Sequence, residues 1–394
     1  MKRPTSKPST PKPLRTAGLF AGIGGLELGL ARSGFKTDLL CEIDPAAQAV
    51  LRERFRGVEL LNDVREIDSI PRGIDVLCAG FPCQNLSSTG QKAGITGAHS
   101  SLVREVFRIL AARSTEWVII ENVPFMLRLK RGEAIDTVAR GLERLGYSWA
   151  YRVMDSQAFG LPHRRKRVFI VASLNSDPRQ VLLGADSLFA VARASHETAL
   201  SAPIGFYWTE GTYATGLAYN AVPPLKGGST IGIPSPPAVL FENGEVCTPD
   251  IRDAERLQGF DADWTAPAEA VMRSSVRWRL VGNAVTVPVA QWVGKRIQHP
   301  SAYDGSSDCK LRTSDWPDAA WSRGDGRFES EVSHFPVARS TPALDSFLRY
   351  PTRPLSVRAT EGFLRRADAG NLRYPTGFIH ALRRYVRRQA KAAV

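Results

Sequence analysis

Residues 16–31 read TAGLFAGIGGLELGLA: an apolar run, then a glycine-rich loop, then apolar residues at helical spacing. This pattern predicts a strand, a turn in which glycines let the backbone approach a ligand, and a helix that begins at about Leu26. A glycine-rich loop alone is a weak signal, because an ordinary tight turn between a strand and a helix has the same composition. Other parts of the chain must therefore distinguish a ligand-binding loop from an ordinary tight turn.

Further short apolar runs alternate with segments of helical periodicity. The runs are TDLLCEI (37–43), IDVLCAG (74–80), EWVIIENV (116–123) and RVFIVAS (167–173). Between them, Ile135, Val138 and Leu142 keep helical spacing up to Gly146. Apolar strands that alternate with helices are typical of a sheet covered on both faces, so the sequence predicts an α/β, doubly wound, Rossmann-like core.

Changes in residue composition and in apolar periodicity divide the chain into four parts. Residues 1–15 mix Pro, Ser, Thr and basic residues, which predicts a flexible basic tail. The α/β pattern covers 16–173 and returns at 281–298, while 174–280 is rich in Gly, Pro, Ser and aromatic residues and predicts a second, irregular unit. Residues 299–394 form a C-terminal extension that ends in a basic amphipathic stretch.

The composition narrows the class of protein. The chain has 394 residues, 43% hydrophobic and 23% charged, which is typical of globular domains. Its net charge of +13 favours a polyanionic partner. The sequence contains neither a long uncharged apolar run nor the apolar core of a secretory signal, so we expect a cytoplasmic protein without a membrane segment. Its five cysteines have no metal or disulfide spacing.

Acidic residues follow the second and third predicted strands. Glu42 ends the second strand, where a carboxylate can accept hydrogen bonds from both hydroxyls of a ribose. Asp44 precedes Pro45, an order that favours capping of the next helix. Asp63 follows a third short strand and could accept from an adenine amino group, although exposed acids in loops are common.

A cysteine and an acid follow two neighbouring strands. Cys83, in GFPCQ, comes after IDVLCAG, and Glu121, in ENV, ends EWVIIENV. Cys41 and Cys78 lie inside apolar strands and suit the role of small buried side chains, whereas Cys83 lies among polar residues that can stabilise a thiolate. A thiol beside an acid suits addition to a heteroaromatic ring, although an acid at a strand end can also cap a turn.

The ordered set of motifs resembles the cytosine-5 DNA methyltransferase family over residues 16–298. The motifs are LFAGIGG, Glu42, GFPCQ, ENV, FGLPHRRKRVFIV, RLQGF and GNAV, in that family's order. One motif could arise by chance, but the ordered set is specific. The resemblance implies S-adenosylmethionine as the methyl donor, double-stranded DNA as the substrate, no metal, and a target-recognition domain at 174–280.

The resemblance also assigns residues to the cofactor pocket. It implies that Phe20 lies against the adenine, Glu42 on the ribose and Asp63 at the adenine edge, with Asn283 closing the pocket. The remaining cofactor-binding positions that it implies are Gly22, Gly24, Leu26, Ile43, Val64, Gly80, Pro82, Leu102 and Ala284.

The resemblance implies a covalent mechanism. Cys83 would add to carbon 6 of cytosine, which makes carbon 5 nucleophilic, while Glu121 would hydrogen-bond the ring nitrogen and the amino group. Arg165 and Arg167 would fix the base oxygen, nearby phosphates and Glu121. Their spacing also suits an ordinary basic entry to a strand. The base must leave the stack to be reached.

Several features lie outside the family pattern or leave alternatives open. His163 stands where the family usually has Gln, and we interpret it as a hydrogen-bonding replacement, not a general base. GITGAHSSLV (94–103) lacks the charged residues that often precede the position of Leu102. In the extension, Arg383, Arg384, Arg387 and Arg388 could contact DNA phosphates outside the recognised bases, but charged helix faces are usually solvated.

Three other functions are consistent with parts of the sequence. They are a transfer RNA methyltransferase of the same family, a binding protein that has lost catalysis, and a nicotinamide oxidoreductase with the same glycine loop. The second rival conflicts with the presence of Cys83 and Glu121, and the third gives GFPCQ no role. The family resemblance also leads us to expect a monomer, a role in restriction–modification and a cognate endonuclease for the same site.

Overall fold

The computed structural model describes residues 12–81, 100–187, 201–227, 236–312 and 315–392. The strands of the first half are β1 (Arg15–Leu19), β2 (Lys36–Cys41), β3 (Glu59–Leu61), β4 (Val76–Ala79), β5 (Trp117–Asn122), β6 (Ser148–Asp155) and β7 (Lys166–Ser173). Those of the second half are β8 (Ile204–Phe206), β9 (Ala218–Tyr219), β10 (Ala238–Leu240), β11 (Val246–Thr248), β12 (Cys309–Lys310), β13 (Ala319–Ser322), β14 (Arg327–Glu329) and β15 (Arg353–Pro354).

Helices connect and cover these strands. They are α1 (Gly25–Ala31), α2 (Pro45–Arg54), α3 (Ser100–Ala112), α4 (Glu133–Arg144), α5 (Arg179–Leu182), α6 (Ile251–Leu257), α7 (Val276–Asn283), α8 (Val287–Gln298), α9 (Leu344–Phe347), α10 (Val357–Ala369) and α11 (Phe378–Ala392). The predicted cap of α2 is confirmed: Asp44 accepts a hydrogen bond from the Ala46 amide at 2.9 Å, and Pro45 follows it.

The large sheet has the predicted doubly wound, Rossmann-like core. Within the described residues its order is β12-β14-β13-β6-β7-β5-β4-β1-β2-β3, and β5, β4, β1, β2 and β3 run parallel. Helices α3 and α4 pack on one face, and α1, α5 and α8 pack on the other. The α/β fold class is therefore confirmed, with the loops after β1, β2, β4 and β5 at one edge of the sheet, where open sheets bind ligands.

β7 differs from the expectation of a parallel strand. It pairs antiparallel with both β5 and β6. A short connection containing a single helical turn at Ser156–Phe159 joins β6 to β7, which is too short for the crossover that a parallel pair requires. Because β7 runs in this direction, its first residues lie at the same edge of the sheet as the last residues of β5.

A second, smaller sheet is antiparallel and has the order β15-β11-β10-β8-β9. Its residues alternate between two apolar clusters. Ala238 and Leu240 face the cluster with α10 and α11, whereas Val239 faces the cluster with α6 and α7. This period of two is the signature of a strand buried on both faces. The second sheet therefore lies between the large α/β unit and the C-terminal helices.

The predicted boundaries at 174, 281 and 299 differ from those of the two sheets. Residues 299–394 supply β12, β13 and β14 to the large sheet, where β13 pairs with β6, and β15 to the second sheet. Helix α7 packs on α2 of the α/β unit, whereas α6 shares an apolar cluster with α7 and with Val222, Leu225 and Val239, so the segment 251–283 contacts both the α/β unit and the second sheet. The local composition and periodicity of the sequence could not reveal that β13 pairs with β6 or that β15 pairs with β11, because these strands are far apart in the chain.

Phe378 should be essential to the stability of the unit formed by the second sheet with α10 and α11 (204–248 and 353–392), here called the second unit. It is fully buried, and its ring lies 5.2 Å from that of Phe206 and 6.2 Å from that of Phe363. We expect Phe378→Ala to lower the free energy of unfolding of this unit by about 3–5 kcal/mol, because truncation leaves a cavity. Urea unfolding followed by tryptophan fluorescence measures the change. The exposed Arg384→Ala is the control and should stay within about 0.5 kcal/mol; equal stability of both variants would contradict this packing.

Candidate active site

The glycine loop opens directly from the end of β1. Phe20 and Gly22 adopt positive φ angles of 55° and 57°, and a Cβ placed on Gly22 would meet nothing within 4 Å. At Gly24, by contrast, a side chain would collide with the ring of Phe55. The loop therefore has open space on the side of Gly22 and close packing at Gly24. A backbone held in this way can approach a ligand without a side chain intervening.

Glu42 lies at the end of β2 and closes one side of this loop. Its two carboxylate oxygens accept hydrogen bonds from the amides of Gly22 at 2.7 Å and Asp44 at 2.8 Å. Burial raises the pKa of Glu42, and these hydrogen bonds oppose the rise. The neighbouring Ile43 is 63% exposed, an unusual position for a large apolar side chain at a strand end.

The remaining predicted cofactor residues fall into different surroundings. Asp63 is held by Arg65, whose Nε lies 3.0 Å from each carboxylate oxygen, and this hydrogen bonding lowers the pKa of Asp63. Leu26, Val64 and Ala284 are buried in apolar clusters, so only their backbone can face a ligand. Leu102 is partly buried against the core. Pro82 lies outside the described residues.

Asn283 lies beside the second unit. It is exposed, and its Oδ1 is 2.6 Å from the position that a Cβ on Gly227 would take. The next residue back, Gly282, packs directly on the backbone of Lys226 and Gly227. The GNAV segment therefore contacts the second unit just before residue 228.

Glu121 ends β5 and lies close to the glycine loop. A Cβ on Gly80 would lie 3.9 Å from Glu121 Oε2 and 3.8 Å from the carbonyl oxygen of Phe20. The loop after β1 and the acid near the end of β5 therefore both lie close to Gly80, at the end of β4. This is where the sequence predicted that the cofactor loop and the acid would come together.

Glu121 is buried and forms an ion pair with Arg167. The distance from Arg167 Nε to Glu121 Oε1 is 3.1 Å, and Glu121 is 7% exposed. Burial raises the pKa of the Glu121 carboxyl, while the positive charges of Arg167 and then Arg165 oppose the rise. The carboxyl thus has a higher proton affinity than an exposed acid, which suits a group that holds or shares a proton.

Arg165 is buried and binds backbone carbonyl groups of two distant segments. Its side chain is 1% exposed, and its guanidinium donates hydrogen bonds to the carbonyl oxygens of Leu225 at 3.0 Å, Gly282 at 3.1 Å and Ala284 at 2.8 Å. These carbonyls take three N–H groups of its Nη atoms, while its buried Nε has no hydrogen-bond partner among the described residues. The contact of Arg165 with the base oxygen or with phosphates stays a prediction. The alternate arginines do lie on one face, but only Arg167 touches Glu121.

His163, like Arg165, forms a hydrogen bond with the backbone of Leu225. It is fully buried; its Nδ1 lies 3.0 Å from the carbonyl oxygen of Leu257, and its Nε2 accepts from the Leu225 amide at 3.1 Å. These partners require a neutral ring with the proton on Nδ1. Burial and the charge of Arg165 lower the pKa of His163. His163 and Arg165 together bind both backbone groups of Leu225.

Cys83 lies outside the described residues, but the strand that leads to it is described. Phe81 is buried, and its carbonyl oxygen accepts a hydrogen bond from Asn122 Nδ2 at 3.2 Å. Asn122 itself is 3% exposed and follows Glu121 directly. We missed Asn122 as a positioning residue. The signal was available in the ENV motif, where a polar amide interrupts an apolar strand.

Glu27 is a second residue that we missed. This α1 residue is 1% exposed, packs against Gly18 of β1, and its Oε2 has no hydrogen-bond partner among the described residues. Burial raises the pKa of Glu27 to about 7, and the charge of Glu42 adds to the rise. The helical apolar pattern around it gives no indication that an acid is buried there.

The structure also bears on metals and membranes. Among the described residues, no three His, Cys, Asp or Glu side chains gather in an arrangement that could hold a metal ion. Over the same part of the chain, the helices are too short or too polar to cross a bilayer.

The α/β sheet has a glycine loop after β1, Glu42 directly after β2 and the buried Glu121 beside them. This combination is typical of enzymes that bind a cofactor containing a nucleoside. Comparison with known proteins gives the family: residues 14–202 and 249–299 match the profile of the C-5 cytosine-specific DNA methylases. The chain belongs to this family and is a DNA (cytosine-5-)-methyltransferase, whose methyl donor is S-adenosylmethionine.

Individual relatives and structures agree. The chain is 44% identical to type II methyltransferase M2.BsuMI of Bacillus subtilis (strain 168), over 95% of this chain and 99% of that protein. It is 28% identical to type II methyltransferase M.MspI of Moraxella sp, over 71% and 69%. The methyltransferase EhMeth of Entamoeba histolytica shares the fold, with a TM-score of 0.53, 14% identity and coverage of 73% of this chain and 99% of that one.

His163 should act through structure and not through proton transfer. We expect His163→Ala to lower the free energy of unfolding by about 3 kcal/mol, because it leaves the buried amide of Leu225 and the carbonyl of Leu257 unpaired. His163→Gln keeps a donor and an acceptor and should lose about 1 kcal/mol or less. Denaturant unfolding measures both. The pH profile of kcat/KM should be unchanged in His163→Gln; loss of its alkaline or acidic limb would instead indicate a general base.

Glu27 should make stability depend on pH. Because its folded pKa of about 7 exceeds the ordinary value of 4.5, its contribution to stability is greatest below pH 4.5 and is lost as the pH rises through 7. Glu27→Gln should therefore be more stable than the wild type at pH 8 by about 2 kcal/mol, after allowance for a buried amide. Urea unfolding at pH 5 and pH 8 measures this. A difference between the two proteins that is equal at both pH values would show that Glu27 does not titrate in this range.

Proposed function

We propose that this chain is the modification methyltransferase of a type II restriction–modification system, acting through a covalent Cys83 adduct on a flipped cytosine. The observation that carries the mechanism is the meeting of Glu121, Arg167 and the glycine loop over Gly80. The resemblance to M2.BsuMI, a type II methyltransferase, over nearly the whole chain supports the biological role. A cognate endonuclease for the same site, a monomeric enzyme and a cytoplasmic location complete this proposal.

The residues around the glycine loop fit S-adenosylmethionine. The open side of Gly22 leaves room for a ligand, and Glu42 lies beside it with a carboxylate able to accept from ribose hydroxyls. The exposed Ile43 and the adjoining Phe20 offer apolar contact to an adenine. Asp63 would accept from the adenine amino group, and Asn283 would close the pocket from the GNAV side. When bound, the cofactor supplies a methyl group activated by a positively charged sulfur.

Cys83 would begin the reaction. As a thiolate it forms a bond to carbon 6 of cytosine, and the electron pair of the ring double bond moves toward carbon 5 and the ring nitrogen. Carbon 5 then takes the methyl group. The proton at carbon 5 would then pass to a water molecule, and the electron pair of that carbon–hydrogen bond would form the ring double bond as the bond from carbon 6 to Cys83 breaks. Cys83 would leave as a thiolate, so the aromatic base and the nucleophile are both restored.

Glu121 would stabilise the charge that addition creates. Its raised pKa lets the carboxyl hold or share a proton with the ring nitrogen while its other oxygen accepts from the amino group. Arg167 holds the carboxyl at 3.1 Å and thereby fixes its orientation. Asn122 holds the backbone of Phe81, two residues before Cys83, and thereby helps to position the nucleophile relative to Glu121.

The second unit would recognise the DNA target. We propose that it comprises 204–248 together with 353–392, since β8–β11, β15, α10 and α11 share one apolar core. The family profile leaves 203–248 and the residues after 299 unmatched, which suits a part that varies with the target sequence. His163 and Arg165 connect this unit to β7 through Leu225.

Transfer of a labelled methyl group tests the proposal. We expect the intact protein to label double-stranded DNA from S-adenosylmethionine and to leave transfer RNA unlabelled. Cys83→Ala should lose DNA labelling by at least about a thousandfold while still binding the cofactor, because only the nucleophile is removed. Cys78→Ala, which alters a buried strand cysteine, is the matched control and should retain activity.

Other outcomes would point elsewhere. Labelling of transfer RNA alone would indicate the RNA-modifying branch, and cofactor binding without labelling of either substrate would indicate a protein that has lost catalysis. Bisulfite sequencing of the labelled DNA then identifies the target. Protection of that DNA from a co-encoded endonuclease tests the restriction–modification role.

A further inference from the structure

The C-terminal helix α11 has two faces of opposite character. Phe378, Ala381, Leu382 and Tyr385 are buried against the second sheet. On the far side, exposed residues recur at helical spacing: His380, Arg384, Arg387 and Lys391. These four residues, here called the basic stripe, extend about 16 Å along the helix at 1.5 Å per residue. The helix contains no acidic residue that could alternate with them.

The charges of the stripe are not neutralised within the described part of the chain. Arg383 pairs with Asp368 at 2.9 Å and Arg388 with Glu245 at 2.7 Å, but neither belongs to the stripe. Arg384 and Arg387 have no ion-pair or hydrogen-bond partner among the described residues. The stripe is therefore a surface of uncompensated positive charge, in contrast to its paired neighbours.

This arrangement costs the isolated helix stability. Arg384 and Arg387 are three residues apart, and Arg387 and Lys391 are four apart, so both pairs of like charges are neighbours on the helix surface. Each such pair destabilises a helix by about 0.2–0.5 kcal/mol. A face that served only to keep the protein in solution would mix both signs. Binding of a polyanion would remove the repulsion.

Charge is concentrated in this part of the molecule. Residues 344–392 contain 11 Arg or Lys and 3 Asp or Glu, whereas the whole chain has a net charge of +13. Within the unit that contains α11, residues 353–392 have 10 Arg or Lys and 2 Asp or Glu, a net charge of +8, whereas residues 204–248 have 1 and 3, a net charge of −2. The positive excess of this unit therefore lies in its C-terminal part. Duplex DNA, with about one negative charge per 1.7 Å of its axis, is the complementary partner that the enzyme already binds as substrate.

The position of α11 places the stripe away from the reacting base. Its C-terminal half lies at the turn between β10 and β11, where Arg388 donates to the carbonyl oxygen of Gly244 at 3.1 Å. The opposite end of β10 lies near Tyr207 and Lys226, which lead to Asn283 and the cofactor loop. Phosphates in contact with the C-terminal half of the stripe would thus lie away from the reacting base.

We propose that the basic stripe binds the phosphate backbone of duplex DNA that flanks the recognised site. The inference rests on the DNA substrate and goes beyond the proposed function, which places α11 in the target-recognition unit but assigns no contact to the basic stripe. It assigns to the C-terminal helix a contribution to affinity that is independent of base sequence, because phosphates position a protein but carry no sequence information directly.

The test is the salt dependence of DNA binding by the full-length protein carrying Arg384→Ala, Arg387→Ala and Lys391→Ala together. We expect the slope of log K against log salt to fall by about two to three, since each phosphate contact contributes about 0.9. The loss should appear on a duplex that extends about one helical turn, about 10 base pairs, beyond the site on each side, and disappear on one that ends at the site. Fluorescence anisotropy measures both.

A matched pair on another helix serves as the control. Arg140 and Arg144 are exposed on α4, outside the second unit, and their substitution removes the same charge per residue, although Arg140 is paired with Asp136 at 2.8 Å. Arg140→Ala with Arg144→Ala should leave the slope on the long duplex unchanged. The stripe variant should also keep the wild-type kcat at saturating DNA and the same methylated sequence, which separates this inference from the proposed chemistry.

Three results would overturn the inference. An unchanged slope in the stripe variant would mean that the stripe faces an acidic protein or solvent. An equal loss on both duplexes would place the contacts within the site. An equal loss in the α4 control would reflect net charge alone. Thermal unfolding of each variant guards against misfolding, because the mutated side chains are exposed and should change stability by no more than about 1 kcal/mol.

Discussion

The ion pair between Glu121 and Arg167 depends on how two antiparallel strands are aligned. β5 and β7 pair so that Glu121 lies opposite Phe169, which makes Arg167 its diagonal neighbour on the same face of the sheet. If the register of one strand shifted by one residue, Glu121 and Arg167 would lie on opposite faces of the sheet and could not pair. Because the pair is mostly buried, the loss of one partner would leave a charge without compensation in surroundings of low polarity. The apolar clusters that lock the register therefore also fix the candidate active site.

The same strand connects the chemistry to target recognition. Three residues of the segment before and within β7 have successive tasks: His163 and Arg165 bind Leu225 of the second unit, and Arg167 binds Glu121. Gly282 packs on the next residues of the second unit, and Arg165 also binds its carbonyl oxygen. A displacement of the second unit thus acts on β7, whose Arg167 forms the ion pair with Glu121. The Gln that the family usually has at 163 can be replaced by His here because a neutral imidazole also offers one donor and one acceptor.

Much of this site could be predicted because its residues follow local patterns. Glu42, Gly80 and Glu121 end apolar runs, and the parallel arrangement of those strands brings their ends to one edge. The direction of β7 and the partners of Arg165 were not predictable in this way. Residues 165 and 167 share one face by the strand period, but their surroundings depend on Leu225 and on 282–284, which are distant in sequence. The same reason hid the role of 299–394, whose short strands find partners far away in the chain.

The interleaving of the two units has a consequence for synthesis on the ribosome. The large sheet receives β13 beside β6, and the second sheet is covered by α10 and α11, only after almost the entire chain has been made. Contacts that join such distant segments form late, and until then an edge strand and an apolar face stay uncovered. A prematurely terminated chain would lack these parts of both units at once. A truncated product would therefore expose an unpaired edge of the large sheet and an apolar face of the second sheet, and we expect it to be more prone to aggregation and proteolysis than the full chain.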